Sequence, residues 1–160
     1  MKKAPLIKAI LSALQRVHQG AIEAAQRAYD TATDEANEAE NKYDTLGLEA
    51  SYLAQGQSRR VIECEADLIA FKKLKPLTFN DQAEVKIGAL VCIEDEHADG
   101  LLIFISPVAG GLKITHDAKE VSLVTPVSPL GQSLMAHFVG DEIDVSIGSE
   151  KKHYQIISIA

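Results

Sequence analysis

Positive charge is what this 160-residue chain is short of: 16 Lys and Arg stand against 23 Asp and Glu, for a formal net charge of −7. Binding to nucleic acid through phosphate contacts needs a basic face, so the balance argues against independent DNA binding; any partner near DNA or RNA is expected to be a protein. Long apolar runs are missing as well. None approaches 18 consecutive residues, so no membrane span is expected. The opening MKKAPLIKAILSAL imitates a secretion signal, but Lys8 interrupts its apolar run and it is expected to be a helix start. There are two cysteines, Cys64 and Cys92, in an expected helix and an expected buried strand. Packed thiols there suit a reducing compartment, and a cytoplasmic location is the expectation.

Catalytic motifs are equally scarce. The chain has no phosphate-cradling glycine loop and no GxSxG nucleophile elbow. Its histidines, His18, His97, His116, His137 and His153, lie at least 16 residues apart, without the spacing of a helical metal site. Asp95-Glu96-His97 suits a solvated turn. Neither catalysis of its own nor a stably bound metal or cofactor is therefore expected.

Between Leu6 and Tyr43 there is no proline and one glycine, Gly20, in a background rich in Ala, Glu and Gln that favours helix. Ala21, Ala25, Ala28, Ala32, Ala36, Ala39 and Tyr43 recur at steps of three or four, which puts them on one narrow face. After Asp44-Thr45-Leu46-Gly47 a second helical run continues to about Lys75, before Pro76. Its row Ala50, Ala54, Gln57, Val61, Cys64, Leu68, Phe71 keeps four-three spacing, and Leu48, Tyr52, Ile62, Ala66 and Ile69 are expected to broaden that stripe. Two striped helices with a short link predict an antiparallel coiled-coil hairpin whose tip is near residues 44–49. The role of residues 1–20 stays open between folding back, running along the base and self-association.

From Pro76 onward the period changes to that of strands: VKIGALVCIED, LLIFISP, GLKI, VSLVTP, IDVSI and HYQIISIA, with Gly, Pro, Asp and Asn between them. SPLGQSLMAHF is the exception. Ser128 suits an N-cap, Pro129 the first helical position, and Leu130, Leu134 and Phe138 are spaced by four toward a core. The fold class is therefore α+β, with residues 1–76 a helical hairpin and residues 77–160 a small, mostly antiparallel sheet domain holding one short helix.

TPVSPLGQSLMAHFVGDEIDV, residues 125–145, followed by the last strand HYQIISI, resembles the C-terminal signature of the Gre (GreA/GreB-like) family of transcription elongation factors. The EASYLA run, residues 49–54, adds a fragment in the helical half. The resemblance implies an FK506-binding-protein-like sheet domain that docks on RNA polymerase, and a coiled coil that enters the polymerase secondary channel. In cleavage-competent members, tip carboxylates help hold a Mg²⁺ at the polymerase active centre; contact with nascent RNA is implied only within that complex. Docking is expected at Gln132, Ser133, Met135, Ala136, His137 and Asp141.

Residues 30–49 hold seven acids against Lys42 alone among bases, and Asp44 and Glu49, with Glu40 as a further candidate, are the tip acids suited to Mg²⁺. Here the chain departs from the family, whose cleavage factors carry an aspartate and a glutamate three residues apart. Aligning Tyr52 with the family's tip tyrosine puts Thr45 and Leu48 at those two positions; a shifted loop would present Asp44 and Glu49 together. Arg59 and Arg60 give the second helix a basic side, for contact with polymerase or RNA or for salt bridges to acids of the first helix. Beside stimulation of RNA cleavage stand a non-cleaving inhibitor or competitor at the channel and a coiled-coil adaptor unrelated to polymerase. Prolyl isomerisation is disfavoured, because Phe79, Phe104, Phe138 and Tyr154 are too scattered to line an aromatic pocket.

Overall fold

A computed structural model describes residues 3–34, 45–75, 79, 82–148 and 150–160. Helices α1 (Lys3–Thr33) and α2 (Leu46–Lys72) are followed by strands β1 (Leu90–Glu94), β2 (Gly100–Ile105), β3 (Lys113–His116) and β4 (Lys119–Val124), helix α3 (Pro129–Leu134), and strands β5 (Glu142–Ile147) and β6 (Glu150–Ile159). The α+β class holds: a long helical hairpin, then a mostly antiparallel sheet with one short helix. α2 ends at Lys72 rather than Lys75, and its last turn tightens as the Lys73 and Leu74 amides donate to the carbonyls of Ala70 and Phe71.

The chain forms two compact units, Met1–Leu11 with Ala70–Ala160, and Ser12–Ile69. Compactness thus divides the chain elsewhere than the change of pattern near residue 76, because the base of each helix is built into the sheet unit. Leu6 and Ile10 are fully buried, and Phe71 meets Phe104 of β2 with ring centroids 6.1 Å apart. The Lys3 ammonium sits 4.0 Å over the Phe79 ring and donates to the Ala160 carbonyl at 3.1 Å. The first residues of α1 therefore run into the base.

Burial lowers Lys3 to a pKa of about 8 from its ordinary 10.5. Between those values the unfolded chain binds more protons than the folded one, so stability rises with pH across that window. Unfolding midpoints followed from pH 7 to pH 10 are expected to rise relative to those of Lys3→Met, which lacks the group. Parallel profiles would remove Lys3 from the pH dependence.

Within Ser12–Ile69, the alanine face of α1 is confirmed. Ala21 and Ala28 are buried and Ala25 and Ala32 half-buried, while Ala36, Ala39 and Tyr43 lie outside the described residues. On α2, Ala50, Cys64 and Leu68 are buried, with Ala54, Gln57 and Val61 half-buried between them. The second row is a correction: Leu48, Tyr52, Ile62, Ala66 and Ile69 are all exposed. At 100° per residue the two rows lie roughly 160° apart, so a helix packed on one partner cannot bury both.

The sheet runs β3-β4-β2-β1-β6-β5. β2 and β4 pair in parallel and the other neighbours are antiparallel. Val91, Ile93, Ile103, Ile105, Val145 and Ile156 on one face pack with Val85 and with Leu134 of α3. Leu90, Phe104 and Leu123, aligned across three strands, point to the opposite face, where Phe71 packs. The β3–β4 hairpin turns through Asp117 and Ala118, both with positive φ (51° and 59°), the geometry of a tight two-residue turn with alanine where glycine is usual. Both cysteines are free thiols, Cys64 buried and Cys92 half-buried.

Candidate functional site

Two regions hold the residues singled out from the sequence. The first is the start of α2. Of the tip acids, Asp44 and Glu40 lie outside the described residues. Glu49 is exposed in the first turn of α2, where the helix dipole favours a carboxylate. Its Oε1 accepts a hydrogen bond from the Thr45 hydroxyl at 2.8 Å, and its amide donates to the Thr45 carbonyl at 2.9 Å. Leu48 beside it is exposed. Among the described residues no three His, Cys, Asp or Glu side chains group as metal ligands.

Farther along α2, Arg60 pairs with Glu63 at 3.4 Å, on the exposed surface of its own helix rather than with an acid of α1. Arg59 is exposed and makes no ion pair to a described residue. Asp67, on the half-buried side, has its carboxyl pushed above the ordinary range by burial; Arg60 opposes the rise and Glu63 adds to it.

The second region is α3 and the turn after it. Ser128 caps the helix, its Oγ accepting from the Gly131 amide at 3.1 Å, and Pro129 opens it, as expected. The helix is shorter than its four-residue spacing suggests. Ala136 has φ +63°, the Ala136 amide donates to the Val85 carbonyl, and the Val85 amide donates to the His137 carbonyl, which draws the chain off the helix axis. Phe138, expected to face the core, is consequently 45% exposed, whereas Met135, expected to face outward, packs against the sheet core. Ser133 is half-buried and donates to the Asp144 carbonyl at 2.9 Å, tying α3 to β5. Asp141, also half-buried, accepts from the Phe138 amide at 2.8 Å and closes the turn. His137 is half-buried with Nδ1 3.2 Å from the Met135 carbonyl. Gln132 and Ala136 remain outward, joined by the exposed Phe138, Val139 and Val127. Helical spacing misplaces Phe138 and is silent on Val139, since both depend on where α3 stops, while Val127 lies before the helix begins.

Asp95-Glu96-His97 is the turn expected of it: the Asp95 carboxylate accepts from the amides of Asp99 and His97, which hold it below its ordinary pKa. No helix among the described residues is long and apolar enough to cross a membrane.

A helical hairpin leading into a small mixed sheet with one capped helix defines the class. Residues 80–160 match the family described as "Transcription elongation factor, GreA/GreB, C-term". The chain belongs to this transcription elongation factor family. Comparison with curated proteins finds no match. Among solved structures, the transcription factor Gfh1 is 18% identical over 95% of this chain and 94% of its own, with a TM-score of 0.40. GreA factor homolog 1 of Thermus thermophilus is 19% identical over 94% of each chain, with a TM-score of 0.39. A GreA/GreB elongation factor from Nitrosomonas europaea is 13% identical over 71% of this chain and 92% of its own, with a TM-score of 0.36.

Proposed function

We propose that this chain regulates transcript elongation by binding RNA polymerase, docking through the sheet domain and presenting the helical hairpin to the secondary channel, without catalysis of its own. The observation that carries this reading is the family match across residues 80–160, the stretch that holds every described strand and α3. Docking falls to the outward residues around α3: Gln132, Ala136 and Phe138, with Ser133, Met135, His137 and Asp141 holding the surface in shape. Thr45 and Leu48 favour a non-cleaving role at the channel. A hydroxyl bonded to Glu49 and an exposed aliphatic side chain occupy the positions implied to bear acids, and neither is a strong ligand for Mg²⁺.

Purified core polymerase tests both levels. Co-migration with the polymerase is expected, together with RNA cleavage in backtracked complexes that is not accelerated. Failure to co-migrate sinks the polymerase reading. Accelerated cleavage that disappears in Asp44→Ala/Glu49→Ala sinks the non-cleaving one and assigns those acids to Mg²⁺. The docking surface is tested separately. Phe138→Asp is expected to weaken binding at least about tenfold while the domain stays folded, whereas Met135→Glu places a charge against the core and is expected to unfold it. Unaltered affinity of folded Phe138→Asp would move the docking surface elsewhere.

A further inference from the structure

The exposed row of α2 extends beyond its apolar members. Leu48, Tyr52, Gln55, Arg59, Ile62, Ala66 and Ile69 alternate steps of four and three without interruption, and all seven are exposed. That spacing is the seam of a coiled coil, and α2 already uses the opposite row for α1. Solvent alone does not require such a row: Tyr52 and Ile62 are each 67% exposed, Leu48 57% and Ile69 49%.

We infer that this outer seam of α2 pairs with the same seam of a second copy of the chain, antiparallel, about a two-fold axis at Arg59. An isologous contact must be complementary to itself, and this one is. Laid antiparallel about Arg59, Tyr52 of each copy falls opposite Ala66 of the other and Leu48 falls within one residue of Ile69, large beside small and aliphatic beside aliphatic. Ile62 falls opposite Gln55 and Gly56. Gly56 has no role within the protomer, since a Cβ there would meet nothing within 4 Å, yet glycine in a helix interior is unfavourable. Opposite Ile62 it leaves the hole that a knob needs. Near the axis, Arg59, with no ion pair of its own among the described residues, lies one turn from the partner's Glu63, which offsets the approach of two arginines. The seam is roughly 32 Å long, and two of them with their flanking rows would bury on the order of 1,200 Å², the lower bound of a specific interface. The pairing does not rest on the proposed function.

Sedimentation velocity of the full chain from micromolar to millimolar concentration is the test. A concentration-dependent dimer is expected, and Ile62→Glu is expected to raise its Kd at least about tenfold with helicity unchanged, because Ile62 is 67% exposed in the protomer. Gly56→Ala is the sharper variant: it should stabilise the isolated helix yet weaken the dimer. Spin labels at Ser58→Cys are expected to lie close across the axis, while labels at Leu48→Cys are roughly 33 Å apart. A chain that stays monomeric overturns the inference, as does a dimer indifferent to Ile62→Glu or one in which labels at residue 48 lie close. Monomers whose Ile62→Glu variant loses polymerase would assign the seam to that partner instead.

Discussion

Phe104→Ala is expected to cost about 3–5 kcal/mol, the range for removing a large aromatic from a core that cannot collapse around the void. Phe104 is fully buried in β2, between Leu90 of β1 and Leu123 of β4, and its ring meets Phe71 in the last turn of α2. It points away from the cluster that α3 covers, so its loss would strike where the sheet receives the base of the helices. Urea unfolding should show a lowered midpoint, and hydrogen exchange should show lost protection in β1, β2 and β4. The rings are tilted by 50°, a geometry worth about 0.5–1.5 kcal/mol beyond area. Phe71→Ala/Phe104→Ala should therefore cost less than the sum of its parts by about that amount. Additive effects would show that the two rings do not act together.

Gly131→Ala is the second large effect, and its sign is opposite to what helix propensity suggests. Alanine within a helix is favoured over glycine by about 1 kcal/mol, and Gly131 is the third residue of α3. An added Cβ would lie 2.0 Å from the Thr125 carbonyl oxygen and 2.8 Å from its carbon. These are backbone atoms, and that oxygen also accepts from the Ser128 amide at 3.0 Å and the Ser128 hydroxyl at 2.9 Å. Relief requires α3 to move as a body, against Leu134 in the core and the Ser133 bond to Asp144. Net destabilisation of about 2–3 kcal/mol is expected, read as a fall in thermal midpoint, with docking affinity reduced in step. An unchanged or raised midpoint would mean that α3 shifts freely.

Patterns confined to one element are legible in the order of residues. Ser128 and Pro129 announce α3 because a cap and a fixed φ act within a few residues, and the alanine row announces a face of α1 because helical spacing is local. The far end of α3 is not legible in that way. Leu130, Leu134 and Phe138 keep helical spacing, yet Val85, distant in the chain, takes the Ala136 amide and offers its own to the His137 carbonyl. Phe138 turns out and Met135 turns in for that reason. The turn at Asp117-Ala118 is hidden because alanine carries no signal for positive φ, and register with β4 imposes it.

By itself the sequence determined the helical hairpin, the six strands, the capped helix and the family resemblance, all of which depend on residue type at fixed short spacing. Tertiary structure alone decided which of the two rows of α2 is buried. Both rows repeat at four and three and both carry large apolar residues, so periodicity cannot rank them; α1 packs against one, and the other, from Leu48 to Ile69, is left to face outward.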